Sequence, residues 1–177
     1  DFQYFGDQTF NASMLGNITK TRFDDGGFRF RQATINTDFS KQFKSVASGL
    51  NIAYGAEFRS EKYSINMGEE ASYALYTNPY DLAGGSQGFP GFSPSDTVTA
   101  TRTVFGVYGD AELNITDKWL VDGAVRFENY SDFGSVATFK LASRYKVSSD
   151  FNLRGSASTG FRAPSLQQIY FSNTLTS

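Results

Sequence analysis

Residues 105–161 hold four stretches in which apolar and polar side chains alternate almost without a break. In residues 105–115 the odd positions are Phe105, Val107, Gly109, Ala111, Leu113 and Ile115, and the even ones include Tyr108, Asp110, Glu112 and Asn114. Successive side chains on a strand point to opposite faces, so this segment makes a strand with one apolar and one charged face. The pattern returns three times. Trp119, Val121, Gly123, Val125 and Phe127 oppose Asp122, Arg126 and Glu128. Phe139, Leu141, Tyr145 and Val147 oppose Lys140, Arg144 and Lys146. Phe151, Leu153, Ala157 and Phe161 oppose Asn152, Arg154, Ser158 and Arg162. A helix repeats its apolar positions every three or four residues, and these stretches do not.

Two earlier stretches follow the same rule less cleanly. Ala33, Ile35, Thr37 and Phe39 oppose Gln32, Asn36, Asp38 and Ser40. Leu50, Ile52, Tyr54, Ala56 and Phe58 oppose Asn51, Glu57, Arg59 and Glu61. A further strand ends near Phe10 with an irregular beginning. The expected fold is therefore all-β: an antiparallel up-and-down meander of six to seven long strands.

Two architectures accommodate such strands. A soluble sandwich, for instance one that binds carbohydrate, alternates with its apolar face in the core. A membrane barrel alternates with its apolar face in lipid. Three features favour an outer-membrane β-barrel. The stretches reach about ten residues, the length a tilted strand needs to cross a bilayer. Aromatics gather at strand ends, Phe105, Phe127, Phe139 and Phe161 at one level and Trp119, Tyr145 and Phe151 at the other, like the two interfacial girdles of a barrel. Short links (116–118, 148–150) alternate with long ones (11–27, 63–101) that fall at one end of the sheet, and 131–135 is a short link at that same end. The two architectures differ in what Val107, Val121, Val125 and Leu141 face: a second protein layer, or nothing. A complete small barrel with a structural or adhesive role is a further alternative, since eight strands close on their own.

The chain contains no Cys and no His, which removes disulfides, thiolate chemistry, Ser-His-Asp triads and His- or Cys-ligated metal sites. Its net charge of -2 gives no reason to expect a nucleic-acid partner. No apolar run is long enough for a membrane helix, which leaves strand-crossing open. No N-terminal signal segment is visible. The acidic pairs Asp24–Asp25 and Glu69–Glu70 fall in expected loops and read as solvated charge, without calcium-loop spacing. Glu57, Glu61, Glu112 and Glu128 share polar faces with Arg59, Arg126 and Arg144, and ion pairs are the expected outcome. The sequons at Asn11, Asn17 and Asn114 are short, common patterns that carry no functional weight. Residues 84–96, GGSQGFPGFSPSD, read as an irregular surface loop without the Lys of a phosphate-binding loop. Tyr73, Tyr76, Tyr80, Phe89 and Phe92 stand in or before it. Such rings either stack on a flat ligand or sugar, or pack the loop against itself, and a long ordered loop needs a core of its own.

The run from Gly160 reads GFRAPSLQQIY. Together with YGDAELNITDKW, RFENYSDFGS, KLASRY and LRGSASTGFRAPS in that order, it resembles the barrel of a TonB-dependent outer-membrane receptor. The resemblance covers most of the chain, from about Gly27 to Phe171. It implies a plugged barrel of roughly 22 strands. Residues 1–177 then represent part of that barrel, without a plug domain or a segment like the one that contacts TonB, and with a long extracellular loop at about 63–101. The parent would bind a scarce nutrient (a siderophore-iron complex, a cobalamin or a glycan) at the bacterial outer membrane and import it with energy transmitted by the TonB complex. It would need no cofactor and do no covalent chemistry. Its partners would be the lipid bilayer, the remaining barrel and the plug. Arg126, Glu128, Arg144, Lys146, Arg154 and Arg162 would face the lumen. The motif GFRAPS carries no ligand contacts, so any contact through the loop aromatics is a separate expectation.

Overall fold

The computed structural model describes residues 2–7, 22–74, 86 and 89–171. Seven strands follow in order: β1 (Phe2–Asp7), β2 (Arg22–Phe43), β3 (Leu50–Asn66), β4 (Val98–Thr116), β5 (Trp119–Tyr130), β6 (Gly134–Lys146) and β7 (Asn152–Ser158). They form one sheet in which neighbours in space are neighbours in sequence. The β1–β2, β4–β5, β5–β6 and β6–β7 pairs are antiparallel. Two short helices, α1 (Glu70–Tyr73) and α2 (Leu166–Tyr170), and a 3₁₀ turn at Pro94–Asp96 complete the described elements. This is the expected meander, with the alternation of residues 105–147 reproduced as strand parity.

The strands differ in length from the expectation. β2 begins at Arg22 rather than near Ala33, and β3 and β4 run on to Asn66 and back to Val98, inside what the sequence suggested was loop. A β-bulge explains the first difference. Tyr4 and Phe5 are consecutive on β1, yet they face Gly26 and Asp24, so Asp25 is an extra residue on β2. Gly26 takes φ +78, a backbone region open to glycine at little cost. The bulge breaks the period of two that identifies a strand in sequence. β7 is shorter than expected: it ends at Ser158, which leaves Phe161 and Arg162 beyond it.

The chain divides into two compact units. One comprises Ala33–Ser60 and Arg102–Ala163. Its strands are inverted relative to a water-soluble sheet. Val107, Val125 and Leu141 are 40%, 45% and 60% exposed, while Arg102 and Asp122 on the opposite face are 2% and 8% exposed. Ile35, Phe39, Tyr54, Phe58, Phe105, Phe127 and Phe139 continue the exposed apolar set. No second protein layer covers these side chains among the described residues, so the sandwich is not the fold. The exposed aromatics step diagonally across the ladders: Phe127 faces Val107, two residues from Phe105, and Phe139 faces Val125, two residues from Phe127. Tilted strands produce such an offset. Trp119 stands directly opposite Tyr145, and its Nε1 donates to Ser143 Oγ at 3.0 Å. Phe161 does not join the expected girdle. It packs near the rings of Tyr130 and Phe133, at 6.0 and 5.6 Å.

The other unit comprises Asp1–Gln32, Glu61–Thr101 and Pro164–Ser177. It has a conventional apolar core of Tyr63, Ile65, Phe92, Ala100 and Leu166, with Phe28, Phe89 and Val98 against it. Leu166 opens α2, whose start is fixed by a capping box: Ser165 Oγ accepts from Gln168 N at 3.2 Å and Gln168 Oε1 accepts from Ser165 N at 2.9 Å. The GFRAPSLQQIY run thus delivers an apolar anchor to this core.

Candidate functional site

Most charged side chains on the strands of the Ala33–Ser60 and Arg102–Ala163 unit gather on one face. Strand parity puts Arg126 and Glu128 there from β5, Tyr108, Asp110 and Glu112 from β4, Glu57 and Arg59 from β3, and Lys140 and Arg144 from β6. Arg126 is the hub. Its Nη2 lies 2.8 Å from Glu128 Oε1 and 3.2 Å from Glu57 Oε2. Arg59 Nη1 lies 3.4 Å from Glu57 Oε1, and Tyr130 OH donates to Glu128 Oε2 at 3.1 Å. Of the ion pairs expected from the sequence, those among Glu57, Arg59, Arg126 and Glu128 are therefore present. Lys140 Nζ pairs with Asp122 Oδ1 at 2.7 Å.

Two of these contacts leap over an intervening strand. Tyr108 on β4 donates to Asp38 Oδ1 on β2 at 2.6 Å, across β3. The strand beneath carries Gly55, where a Cβ would lie 2.7 Å from both the Tyr108 ring and Asp38 Oδ1. Arg126 on β5 reaches Glu57 on β3 in the same way, across Gly106 of β4, where a Cβ would lie 3.3 Å from Arg126 Nη2. Glycine is what leaves the corridor open in each case. Below Tyr108 and Arg126 the face is shallow, and a groove of about 490 Å³ is lined by Ala53, Asp110, Ala124, Thr138, Lys140 and Ser158 among others.

At the link 131–133 Arg102 is buried against Asp132, with Nε and Nη2 at 2.8 and 2.6 Å from Oδ2. Its guanidinium also lies over Phe133 and Tyr130, 5.3 and 5.9 Å from the ring centres. Sequence periodicity marks Arg102 only as a polar residue before a strand. Its partners become visible once β4 and β5 are paired.

Of the six expected lumen residues, Arg126 and Glu128 are joined in the network above. Arg144 and Arg154 stand directly opposite each other on β6 and β7, and Lys146 pairs with Asn152. Arg162 is exposed and lies outside the strands. Of the five loop aromatics, Tyr76 and Tyr80 lie outside the described residues. Tyr73 is half-buried at the end of α1. Phe92 is 1% exposed, and Phe89 meets it edge-on at 5.2 Å, so these two rings pack the loop against itself.

The acidic pairs are not simply solvated. Asp24 N donates to Glu69 Oε1 and Glu69 N to Asp24 O, at 2.9 and 2.8 Å. Gln3 Nε2 donates to Asp24 Oδ1. Asp25 is buried, accepting from Ser86 Oγ at 3.0 Å and, through its carbonyl, from Phe92 N at 2.9 Å. Burial of the bulged residue and pairing across a long loop have no local signature in sequence. Asp24, Asp25 and Glu69 act as fasteners, Glu70 is exposed, and no metal-binding group of three acids occurs among the described residues.

Several known proteins are similar to this chain. The vitamin B12 transporter BtuB of Photobacterium profundum is 27% identical over 172 residues, covering 92% of this chain and 25% of that protein. The vitamin B12 transporter BtuB of Vibrio vulnificus is 27% identical over 146 residues, covering 82% of this chain and 20% of that protein. The chain thus spans about a quarter or less of the length of these curated relatives. No solved structure matches it. The family model described as TonB dependent receptor-like, beta-barrel, matches residues 1–177 throughout, and with strands that expose their apolar face and bury charge on the other, this chain belongs to the TonB-dependent receptor family as a stretch of its β-barrel.

Proposed function

We propose that this chain is part of the wall of an outer-membrane TonB-dependent transporter that imports a scarce nutrient, with a cobalamin of the vitamin B12 kind favoured over a siderophore-iron complex or a glycan. The observation that carries the reading is the inversion of the sheet. Leu141 and Ile35, at 60% and 69% exposure, find a low-energy environment only in lipid or against another apolar surface. The similarity to vitamin B12 transporters supports the choice of nutrient.

In this reading the exposed apolar face meets acyl chains, and the charged face, with Arg126, Glu128, Arg144, Lys146 and Arg154, faces the lumen. The short links 117–118 and 147–151 face the periplasm, and the opposite end of the sheet, with α1 and the 3₁₀ turn at Pro94–Asp96, faces outward. Tyr73, Tyr76 and Tyr80 are then the aromatics available to a ligand, while Phe89 and Phe92 hold their loop. Transport requires no bond chemistry from the wall. The ligand moves when TonB acts on a plug carried elsewhere in the protein. Deleting the gene and measuring uptake of radiolabelled cyanocobalamin tests the choice. Uptake lost on deletion and restored by the gene is expected. Unchanged cobalamin uptake with loss of an iron chelate or glycan would reassign the nutrient.

A further inference from the structure

On the outward face of β2, β3 and β4 the chemistry changes along each strand. On β3, Tyr54 and Phe58 give way to Lys62 and Ser64. On β4, read from its other end, Val107 and Phe105 give way to Thr103, Thr101 and Thr99. On β2, Phe39 and Ile35 give way to Arg31 and Arg29. Arg31, Lys62, Thr99 and Thr101 are exposed, while Glu61, Tyr63, Ala100 and Arg102, interleaved with them on the other face, are buried. Within 27–31, 60–66 and 99–103 no residue of the outward face is acidic, although the chain carries a net charge of -2.

The register brings two of these cations side by side. Glu69 N donates to Asp24 O at 2.8 Å, so Asp24 stands level with Glu69 where β2 and β3 adjoin. Seven residues on from Asp24 and seven back from Glu69 are Arg31 and Lys62. The rings of Phe39 and Tyr54, eight residues further along each strand, stack at 5.4 Å, as that register requires. Lys62 lies four residues past Phe58 on the same face of β3. That is about 13 Å along a strand and about 10 Å of height at a tilt of about 40°. Such a step carries a cation out of hydrocarbon to the level of lipid headgroups.

We propose that Arg31 and Lys62, with Thr99, Thr101 and Ser64 on the same face, dock the phosphorylated sugar headgroup of a glycolipid in the outer leaflet. Guanidinium and ammonium donors suit phosphate oxygens, and hydroxyls both donate to and accept from a sugar. The proposal rests on the transporter reading, in which the apolar part of this face meets acyl chains. A ligand tethered in that layer is a lipid rather than a free anion.

The test uses the full-length protein purified in non-ionic detergent, with lipid retention measured by native mass spectrometry. The probes are a bis-phosphorylated disaccharide lipid and the same lipid after phosphatase treatment. One phosphorylated lipid is expected to be retained, with the dephosphorylated form bound about tenfold more weakly. The double variant Arg31→Gln, Lys62→Gln should weaken binding about tenfold, and Lys118→Gln, in the turn at the other end of β4, should not. The comparison of the two lipids on the unaltered protein needs no variant. If the double variant does not fold, Lys62→Gln alone, expected to weaken binding about threefold, locates the site. Undiminished binding by the variants, or equal binding of the dephosphorylated lipid, overturns the proposal. So does equal binding of phosphatidylglycerol, which would mark a response to any anionic headgroup, or release of the lipid by millimolar inorganic phosphate, which would mark a free-anion site. Lipid retention is read whether or not the protein takes up cobalamin, and recovery of the full-length protein outside the outer membrane would overturn the wall reading itself.

Discussion

Gly55 and Gly106 perform the same task with different tolerances. A Cβ at Gly55 would press on the Thr37 carbonyl oxygen at 2.6 Å, which is backbone and cannot swing away. A Cβ at Gly106 would meet the movable end of Arg126. Gly55→Ala should therefore destabilise by about 1–3 kcal/mol, the range for overpacking, and Gly106→Ala by clearly less. Thermal unfolding of the full-length protein ranks the two, and equal effects would refute the distinction. Tyr63 offers a contrast. It is fully buried, and its hydroxyl lacks a partner among the described residues. Tyr63→Phe removes an unsatisfied group and should leave stability unchanged or raise it by about 1 kcal/mol. None of this was legible in advance, because Tyr63 reads in sequence as the first residue of a loop.

At the scale of elements, β4, β5 and β6 were legible because their alternation is nearly unbroken and each face has one chemistry. β2 was legible only in part. The bulge at Asp25 and the glycines beside it erase the period of two where the strand turns polar groups inward. α2 was readable in principle from the Ser165–Gln168 spacing of a capping box, but its core role depends on Tyr63, Ile65 and Phe92, which are remote in sequence. Leu166→Ala should cost about 2–5 kcal/mol through the cavity it leaves. Ser165→Ala should cost about 1 kcal/mol by removing the cap. Protease protection of the segment around α2 is the measurement, and an unprotected wild type would argue against the packed position. For β5, Val125→Arg should oppose membrane insertion by about 2–4 kcal/mol if the residue lies near the bilayer midplane. Normal yield of the folded protein in outer membranes would place Val125 elsewhere.

For the whole molecule, β1 and β7 form the edges of the described sheet, each with backbone groups that no strand of the sheet pairs. Lipid tolerates no such edge. Residues 1–177 expressed by themselves with a secretion signal should yield no protease-resistant species in outer membranes, whereas the full-length protein should. A resistant species from the short form would revive the small self-contained barrel. The two contacts that leap a strand bear on how such a wall assembles. An ordinary ladder compares two strands, and one ladder can slip while its neighbours stay aligned. Tyr108 finds Asp38 only when β2–β3 and β3–β4 are both in register, and Arg126 finds Glu57 only when β3–β4 and β4–β5 are. A slip of one residue in any of these three ladders turns a side chain to the wrong face and breaks at least one bond. Together the overlapping pair works like a parity check on four strands, an error-detecting code written in two glycines and four polar side chains.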